Sequence, residues 1–501
     1  MSGTAATFRR VVNWRYFDWA VLACLVAVIT ITNFVWRSVE TRPPHWDMGR
    51  HLWISLIYLN QFKHLQLWQM IVGYNYYPPL FYCLTIPFYL LFGINMPAAV
   101  LSNVLFIAIL AASTYGLGRR LWNRQTGLLA AVLVLCSPML TSQFKEYQLD
   151  APFTAMITLT LYLVVRSEEF TNRRFSMLLG LVLGIDLLTK WTAPGVLFLP
   201  VGVSAAIGLY RAYKTHSSRP LINLLSVTVI AYIIASPWYL TNLHQIKIDL
   251  LQNGITAGAL EGDPPVGTLA SNLWYFWNLV NNQLYLLPSL LFAIGLLWSF
   301  RSKQWGQNLY PLLLIFGTCI FFTLLRNKDA RYTLPFLGAV AVIASYWITQ
   351  LPRKIKLAAG CLIVLYSALA FAAISFGSGL IPKTSAFSVG DHGVVVFAQH
   401  GYLIGAPTRE QWHLEELFKT VSDNGVSGHA PSLYYLGPDT IWFNGWAMNY
   451  YADKYGVNRV TDIKQADFVA LRGSNLATPD NFTPVFTYRL PDQTTLSLYK
   501  R

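Results

Sequence analysis

Long apolar runs separated by short polar breaks fill most of the first 376 residues of the chain. Taking about 20 apolar residues as one membrane crossing, the pattern predicts helices near residues 19–37, 97–117, 126–141, 151–166, 176–189, 192–210, 221–240, 280–300, 309–325, 332–350 and 357–376, eleven in all. The stretch LFYCLTIPFYLLFG, residues 80–93, is as apolar but shorter and contains Pro87, so it reads as an interfacial or re-entrant helix. From about residue 377 the apolar runs shorten and turn residues multiply. There GVVVFAQ, ADFVALRG and the alternating TTLSLYK read as strands, and residues 409–423 and 444–455 as helices. The expected architecture is a polytopic α-helical membrane region over 1–376, with a first outer loop at 38–96 carrying interfacial helices. An extracytoplasmic soluble mixed α/β domain follows over 377–501.

Charge then orients the helices. With 80–93 left out of the count, Arg119/Arg120/Arg124, Arg166/Arg173/Arg174, Arg211/Lys214/Arg219, Arg301/Lys303 and Arg353/Lys354/Lys356 fall on one side. Arg9, Arg10 and Arg15, before the first apolar run, fall on the same side, the cytoplasmic one by the positive-inside rule. Counting 80–93 as a span would invert every cluster. The first run is longer than a signal-peptide core and lacks a small-residue cleavage site, so it is read as a retained helix with a cytoplasmic N-terminus, in the plasma (inner) membrane.

Composition fits this reading: 54% of residues are hydrophobic and 12% charged, about half the charged share of a soluble domain. The net charge of +14 is accounted for by the dispersed loop clusters and points to no nucleic acid. Cys24, Cys83, Cys136, Cys319 and Cys361 all lie in apolar runs without a CxxC pair, so neither a disulfide framework nor a zinc site is indicated.

The unusual polar residues fall on the outer face. In HWDMGRHLWISLIYL, Asp47, Arg50 and His51 stand at i, i+3 and i+4, while Trp53, Leu56, Ile57 and Leu59 supply apolar area for lying along the membrane; the plainer reading is an Asp–Arg pair on an interfacial helix. FKEYQLDAPF presents Lys145, Glu146 and Asp150, the last readable simply as a helix N-cap. Lys190 sits in an apolar hairpin, where a lysine is costly unless it snorkels or meets an anion. LLRNKDARYTLP sets Arg326, Lys328 and Arg331 on the outer side, against the positive-inside trend, which suggests a bound lipid phosphate. A carboxylate able to take a hydroxyl proton, facing cations that stabilise a departing phosphate, suits inverting glycosyl transfer from a lipid-phosphate donor.

Six segments in order now resemble one family: WDMGRHLWISL, YYPPLFYCLTIPFYLLFG, GLGRRLWNRQTGLLAAVLVLCSPM, KEYQLDAPFTAMITLTLYL, GLVLGIDLLTKWTAPGVL and RNKDARYTLPFLGAVAVIA. Over roughly residues 15–350 the chain resembles the polyprenyl-phosphate-sugar-dependent glycosyltransferases of the GT-C class, the group of the protein O-mannosyltransferases and the lipid A aminoarabinose transferases. The resemblance implies Asp47 as catalytic base and Asp150 as a second acid supporting the site. It implies Lys190 and Arg331, with Arg326 or Lys328, as the holders of the donor phosphate, and Arg50, His51, Lys145 and Glu146 as supporting residues. Two positions depart from the family pattern. Met48 stands where a Glu often follows the Asp, which argues against a metal or paired-carboxylate role there. Tyr77 stands where many relatives carry a lysine before the proline pair, so a neutral hydroxyl would contact the phosphate.

The resulting expectation is an inverting glycosyltransferase that moves a sugar from a polyprenyl-monophosphate donor to a hydroxyl acceptor on the non-cytoplasmic face. Membrane lipid is its surroundings, and neither a nucleotide nor a divalent metal is supported by the sequence. The competing class is a transporter or flippase for a lipid-linked or anionic solute, which the lack of an internal repeat weakens. A non-catalytic glycolipid-binding scaffold is the third. The aromatic-rich segment LYYLGPDTIWFNGWAMNYYADKYG reads first as domain core and second as a sugar-stacking surface.

Overall fold

The computed structural model describes residues 16–380, 382–390, 392–425, 429–474 and 478–501; Arg9, Arg10 and Arg15 lie outside them. The apolar runs become helices: α1 (Phe17–Val39), α2 (Trp46–Lys63), α3 (Leu80–Phe92), α4 (Met96–Leu121), α5 (Arg124–Leu135), α6 (Asp150–Ser167), α7 (Arg173–Leu187), α8 (Ala193–Thr215), α9 (Arg219–Leu260), α10 (Leu269–Asn278), α11 (Leu286–Arg301), α12 (Leu309–Thr323), α13 (Leu334–Gln350) and α14 (Arg353–Phe376). Among the described residues, α1, α4, α8, α9 and α14 are long and apolar enough to cross a membrane by themselves. Five shorter apolar helices, α3, α5, α11, α12 and α13, lie among them. The protein is a multi-pass membrane protein; the eleven-span count goes beyond what helix length and composition establish.

Helix starts follow local chemistry. Asn95, Asn123 and Thr268 each turn a side-chain oxygen onto a backbone N–H three residues on, at 2.8, 2.9 and 3.2 Å, opening α4, α5 and α10. Between α7 and α9 the close approach comes from Gly180 and Gly184, where an added Cβ would meet Val227 Cα at 3.0 Å and Ile234 Cβ at 2.8 Å.

Three expectations about span limits differ from the structure. The run 126–141 breaks after Leu135, because Pro138 starts a separate turn, Pro138–Gln143. The run 280–300 begins only at Leu286, since Leu279–Gln283 continues α10 as a π-type turn. The stretch left between the runs 221–240 and 280–300 is mostly helical: α9 runs past residue 240 to Leu260, and α10 follows. No proline stands between Pro237 and Pro264 to stop it.

The basic loops gather at one end of the bundle. Arg120 pairs with Glu168 at 2.6 Å and Arg211 with Glu169 at 2.5 Å, while Asn123 reaches Thr349 and Trp122 reaches Asn308, each at 3.0 Å. At the opposite end the α2 N-terminus, the α5–α6 connection, the α7–α8 turn and the α12–α13 loop converge.

After α14 come β1 (Thr384–Val389) and β2 (His392–Ala398), an antiparallel pair, and then a second sheet. Its strands β3 (Ser432–Leu436), β4 (Asn458–Val460), β5 (Phe468–Gly473), β6 (Thr483–Arg489) and β7 (Thr495–Lys500) stand in the order β4-β3-β5-β7-β6, with β3 parallel to β4 and β5 and the rest antiparallel. Helices α15 (Leu414–Asp423) and α16 (Gly445–Tyr455) bring Leu417, Phe418, Met448 and Tyr451 into the core of this unit, on which the buried β5 also lies. The unit is not a remote appendage. Gly49 of α2 packs on α16 so closely that an added Cβ would lie 2.8 Å from Ala447 N.

Candidate active site

Pro43 and Pro44 hold the chain extended into His45, the N-cap of α2, whose Nε2 lies 2.8 Å from Glu146 Oε1 and 3.3 Å from Gln148 Nε2. That buried pair ties the start of α2 to the α5–α6 connection and sets Asp47 in the first helical turn, where the helix dipole favours a carboxylate. Asp47 does not pair with Arg50. Its Oδ2 accepts from Arg331 Nη1 at 2.7 Å, and its side chain stays 46% exposed. Partial burial raises its carboxyl pKa, but Arg331, through its charge and its hydrogen bond, together with His51 and His45, outweighs burial and holds it well below the usual carboxylate range.

Arg331 is the hub. Its Nε and Nη2 grip Asp329 at 3.0 and 2.5 Å, its Nη1 reaches Asp47, and Asp150 Oδ2 stands 3.9 Å away. Asp329 also accepts the Arg331 backbone N–H at 2.8 Å, which locks the loop around its own partner. Asp150 is the first residue of α6 and makes no capping bond; its Oδ1 accepts from Lys190 Nζ at 2.7 Å, with the two side chains 8% and 6% exposed. The rings of Tyr77, Phe153 and Tyr332 surround that ammonium at 5.6, 5.8 and 5.6 Å. Asp47, Arg331, Asp150 and Lys190 therefore form one chain of ion pairs with Asp329 as a side branch. Three carboxylates face two cations.

Several expected partners are placed elsewhere. The α2 helix does not lie bare along a membrane surface: Leu52, Leu56 and Leu59 are buried in the core, and Trp53 packs on Trp446 at 5.5 Å and donates to Asp453 at 2.9 Å. The C-terminal domain covers that face. His51 turns inward to the Tyr82 hydroxyl at 2.9 Å, where burial pushes its imidazole down to about 3. Lys145 is fully buried away from the chain of pairs, donating to Thr141 O at 3.2 Å and facing the Phe371 ring at 5.4 Å; burial lowers its pKa to about 7. Glu146 is spent on His45 and positions α2.

Lys328, expected at the phosphate, points its ammonium at the carbonyls of Phe322, Thr323 and Leu325, closing the C-terminus of α12. Arg326 donates its backbone N–H to Gly254 O at 3.0 Å, and its buried Nε has no hydrogen-bond partner among the described residues. Tyr77 lends Lys190 its ring.

Asp329, His45, Tyr332 and Tyr402 were missed in the sequence. The Asp-x-Arg spacing at 329 and 331 was the available signal, hidden in a turn that reads as basic. Tyr402, whose ring lies 5.5 Å from the Arg331 guanidinium, comes from the far C-terminal segment, which Gly401 lets approach Ser142.

Residues 77–240 match the family model for dolichyl-phosphate-mannose-protein mannosyltransferase. The chain is 27% identical over 288 residues to an uncharacterized protein of Aquifex aeolicus, covering 56% of this chain and 54% of that one. It is 24% identical over 281 residues to the undecaprenyl phosphate-alpha-4-amino-4-deoxy-L-arabinose arabinosyl transferase of Pseudomonas paraeruginosa, covering 52% and 48%. The matched part thus spans about half the length of these curated relatives. In fold, the chain is similar to ArnT from Cupriavidus metallidurans bound to undecaprenyl phosphate, with a TM-score of 0.59 at 15% identity over 96% of this chain and 98% of that one. It is also similar to the Archaeoglobus fulgidus oligosaccharyltransferase, with a TM-score of 0.52 at 12% identity over 91% and 65%. The fold likeness to these two solved structures and the sequence matches to a dolichyl-phosphate-mannose mannosyltransferase family model and to an undecaprenyl-phosphate arabinosyl transferase agree: the chain is similar, in sequence over part of its length and in fold over most of it, to glycosyltransferases of the GT-C class.

Proposed function

We propose that the protein transfers a sugar from a polyprenyl-monophosphate carrier to an acceptor hydroxyl, with inversion at the anomeric carbon, on the non-cytoplasmic side of the membrane. The observation that carries this reading is the chain Asp47–Arg331–Asp150–Lys190, a series of alternating charge that runs from the half-exposed Asp47 to the buried Asp150–Lys190 pair, at the end of the bundle opposite the basic loops. The positive-inside rule puts those loops in the cytoplasm and the ion-pair chain outside. A groove of about 360 Å³ between α7, α8 and α9, lined by Leu183, Val201, Ala231 and Leu240 and reaching Leu187 and Pro194 on either side of the α7–α8 turn, suits a prenyl tail.

In this reading both phosphate-binding cations rest on carboxylates, so the donor enters by exchange. Arg331 turns from Asp47 to the donor phosphate, and Asp47, losing the cation that depresses its pKa, becomes a stronger base. The acceptor oxygen attacks the anomeric carbon, and its proton passes to Asp47. The bond from that carbon to the phosphate oxygen breaks, and Lys190 and Arg331 balance the charge left on the polyprenyl phosphate. Donor binding would thereby switch on the base.

Reconstitution in liposomes with labelled polyprenyl-phosphate sugars and a cell-envelope extract tests the reading. The wild-type chain is expected to release free polyprenyl phosphate and form labelled product, and Asp47→Asn to lose both. Label crossing the bilayer with its lipid linkage intact would replace the transferase with the transporter.

A further inference from the structure

Arg331 leaves the backbone from a peptide unit that is held on both edges. Its own N–H donates to Asp329 Oδ1 at 2.8 Å. The oxygen on the other edge is the Ala330 carbonyl, which accepts from Asn278 Nδ2 at 2.9 Å and from Gln283 Nε2 at 2.8 Å. The same Nε2 donates to Thr333 Oγ1 at 2.8 Å, two residues beyond Arg331. Because a peptide unit is planar, side chains bonded to its N–H and to its oxygen fix its orientation. One donor is enough to satisfy a buried carbonyl, yet this one has two, and Asn278, Gln283, Ala330 and Thr333 are all buried.

The pairing depends on an irregular turn. Asn278 ends α10 and Gln283 ends the π-type turn that follows, in which the Leu284 N–H donates to Leu279 O at 3.0 Å. At 3.6 residues per turn, positions five apart on an α-helix point about 140° away from each other. The i→i+5 bond widens the turn by one residue and brings the two amides over one side. Asn282 Nδ2 donates to Asn278 Oδ1 at 3.0 Å, which turns the Asn278 amide so that its nitrogen faces Ala330. Such turns are rare, and this one has a specific product: two donors, five residues apart, on one oxygen.

The same turn is tied to the hairpin that follows α14. Asn281 Nδ2 donates to Gly393 O at 2.9 Å, and its Oδ1 accepts from the Val395 N–H at 2.9 Å, so its amide pairs with β2 through the two kinds of bond that a neighbouring peptide would make. Just past the turn, the Tyr285 hydroxyl donates to His400 O. A continuous path of hydrogen bonds therefore runs from β2 through the turn to the peptide that carries Arg331.

We propose that Asn278 and Gln283 are positioning residues for Arg331: together they hold the Ala330–Arg331 peptide still while the guanidinium moves between Asp47 and the donor phosphate. Asn281 extends that support to the β1–β2 hairpin. With the peptide pinned, only the side-chain torsions of Arg331 change during the exchange, and the guanidinium reaches the phosphate from one fixed origin. The precision matters, since a displacement of about 1 Å at a group that stabilises the reacting centre is enough to cost about 10²-fold in rate. The proposal rests on the transferase reading for what Arg331 binds and on the geometry for what holds it.

The test titrates the full chain in nanodiscs with radiolabelled polyprenyl monophosphate and follows turnover of labelled donor alongside. Asn278→Leu combined with Gln283→Met keeps volume and removes both donors. It is expected to weaken binding about tenfold and to slow turnover by about 10–10²-fold, each single change doing less because one donor remains. In an Arg331→Gln chain the same pair should cost less than about twofold more in binding, since the group it holds is gone. Asn223→Leu removes an equivalent buried bond at the basic end, from its Nδ2 to Phe170 O at 2.7 Å, and should lower the unfolding temperature comparably while leaving binding unchanged. Wild-type binding in the double variant, equal losses with and without Arg331, or a wild-type chain that binds no polyprenyl monophosphate overturns the proposal. Where the double variant does not fold, the two single variants carry the same comparison. Binding that depends on the amides through Arg331, in a chain that transfers no sugar, sustains the proposal and removes only the transferase reading.

Discussion

At the basic end of the bundle Arg120 and Glu168 meet at 2.6 Å with both side chains 45% exposed, whereas at the other end Lys190 and Asp150 meet at 2.7 Å with 6% and 8% exposed. The bonds are alike in length and opposite in circumstance. An exposed pair gains about 0–1 kcal/mol and asks little of the fold. A buried one must repay the desolvation of both ions, and an apolar pair of the same volume often serves stability as well or better. The bundle nonetheless keeps Asp47, Asp150, Asp329, Lys190 and Arg331 together at one end. Stability gives no reason for that concentration; the proposed transfer does.

The sharpest way to break the comparison is Asp47→Asn. The change removes a proton acceptor while keeping shape, so turnover of labelled donor should fall by about 10²–10⁴-fold, with little change in the unfolding temperature. Equal turnover would make the cluster structural. Next in size is Lys190→Met, which strands the Asp150 carboxylate with only Arg331, at 3.9 Å, to answer it. Removing one partner of a buried pair costs about 3–5 kcal/mol, and Arg331 puts the expected loss near the lower bound. Denaturant unfolding in detergent measures it. The double variant Lys190→Met with Asp150→Asn should recover part of the loss, because no charge is then left alone.

His51 sharpens the comparison through pH, since it is buried beside the cluster without sharing its ion pairs. Burial, aided by Arg50, Arg331 and Lys190 and opposed by Asp47, takes its pKa down to about 3 from an ordinary 6.5. The unfolded chain therefore binds this proton more readily. The stability due to neutral His51 is complete above pH 6.5 and drains away as pH falls towards 3, by up to about 1.4 kcal/mol per pH unit. Asp47, whose pKa is depressed, loses its contribution only below the ordinary carboxylate range. Lys145, lowered from 10.5 to about 7, acts between those values, stability falling as pH drops. The interval from pH 6.5 to 4.5 thus belongs to His51 among these three, and His51→Asn should flatten the unfolding temperature there.

The two ends also differ in how much of them the sequence made legible. Helices were readable wherever a run of apolar residues had to hide its backbone, which is a local demand. Their ends were less so: the α5 break waits on Pro138, and α9 runs past residue 240 without a stop signal. Strands β2, β5 and β7 could be seen as short apolar or alternating runs, while the exposed β1 and edge strand β6 could not. At the site, residue types at a membrane edge pointed to Asp47, Asp150, Lys190 and Arg331, and all four now lie in one chain of contacts. Adjacent side chains in a turn go separate ways, however. Lys145 enters the core while Glu146 takes His45, and Lys328 closes a helix while Arg331 joins three carboxylates. No periodicity encodes those choices, because the three-dimensional meeting of distant loops makes them.

The smallest effect belongs to the exposed pair and serves as the control for all the others. Arg120→Gln removes one partner of Glu168, which sits with Glu169 and Phe170 in a bend where all three residues have φ between +51° and +64°. That bend is also held from inside: Phe170 is fully buried, its carbonyl accepts from Asn223 at 2.7 Å, and Glu169 accepts from Tyr310 at 2.7 Å. The backbone there has anchors that do not depend on Arg120. The expected loss is about 0–1 kcal/mol and should shrink further in added salt, which screens exposed charges within about 10 Å at 0.1 M. A loss matching that of Lys190→Met would mean that exposure does not separate the two ends, and the argument that burial marks the site would fall with it.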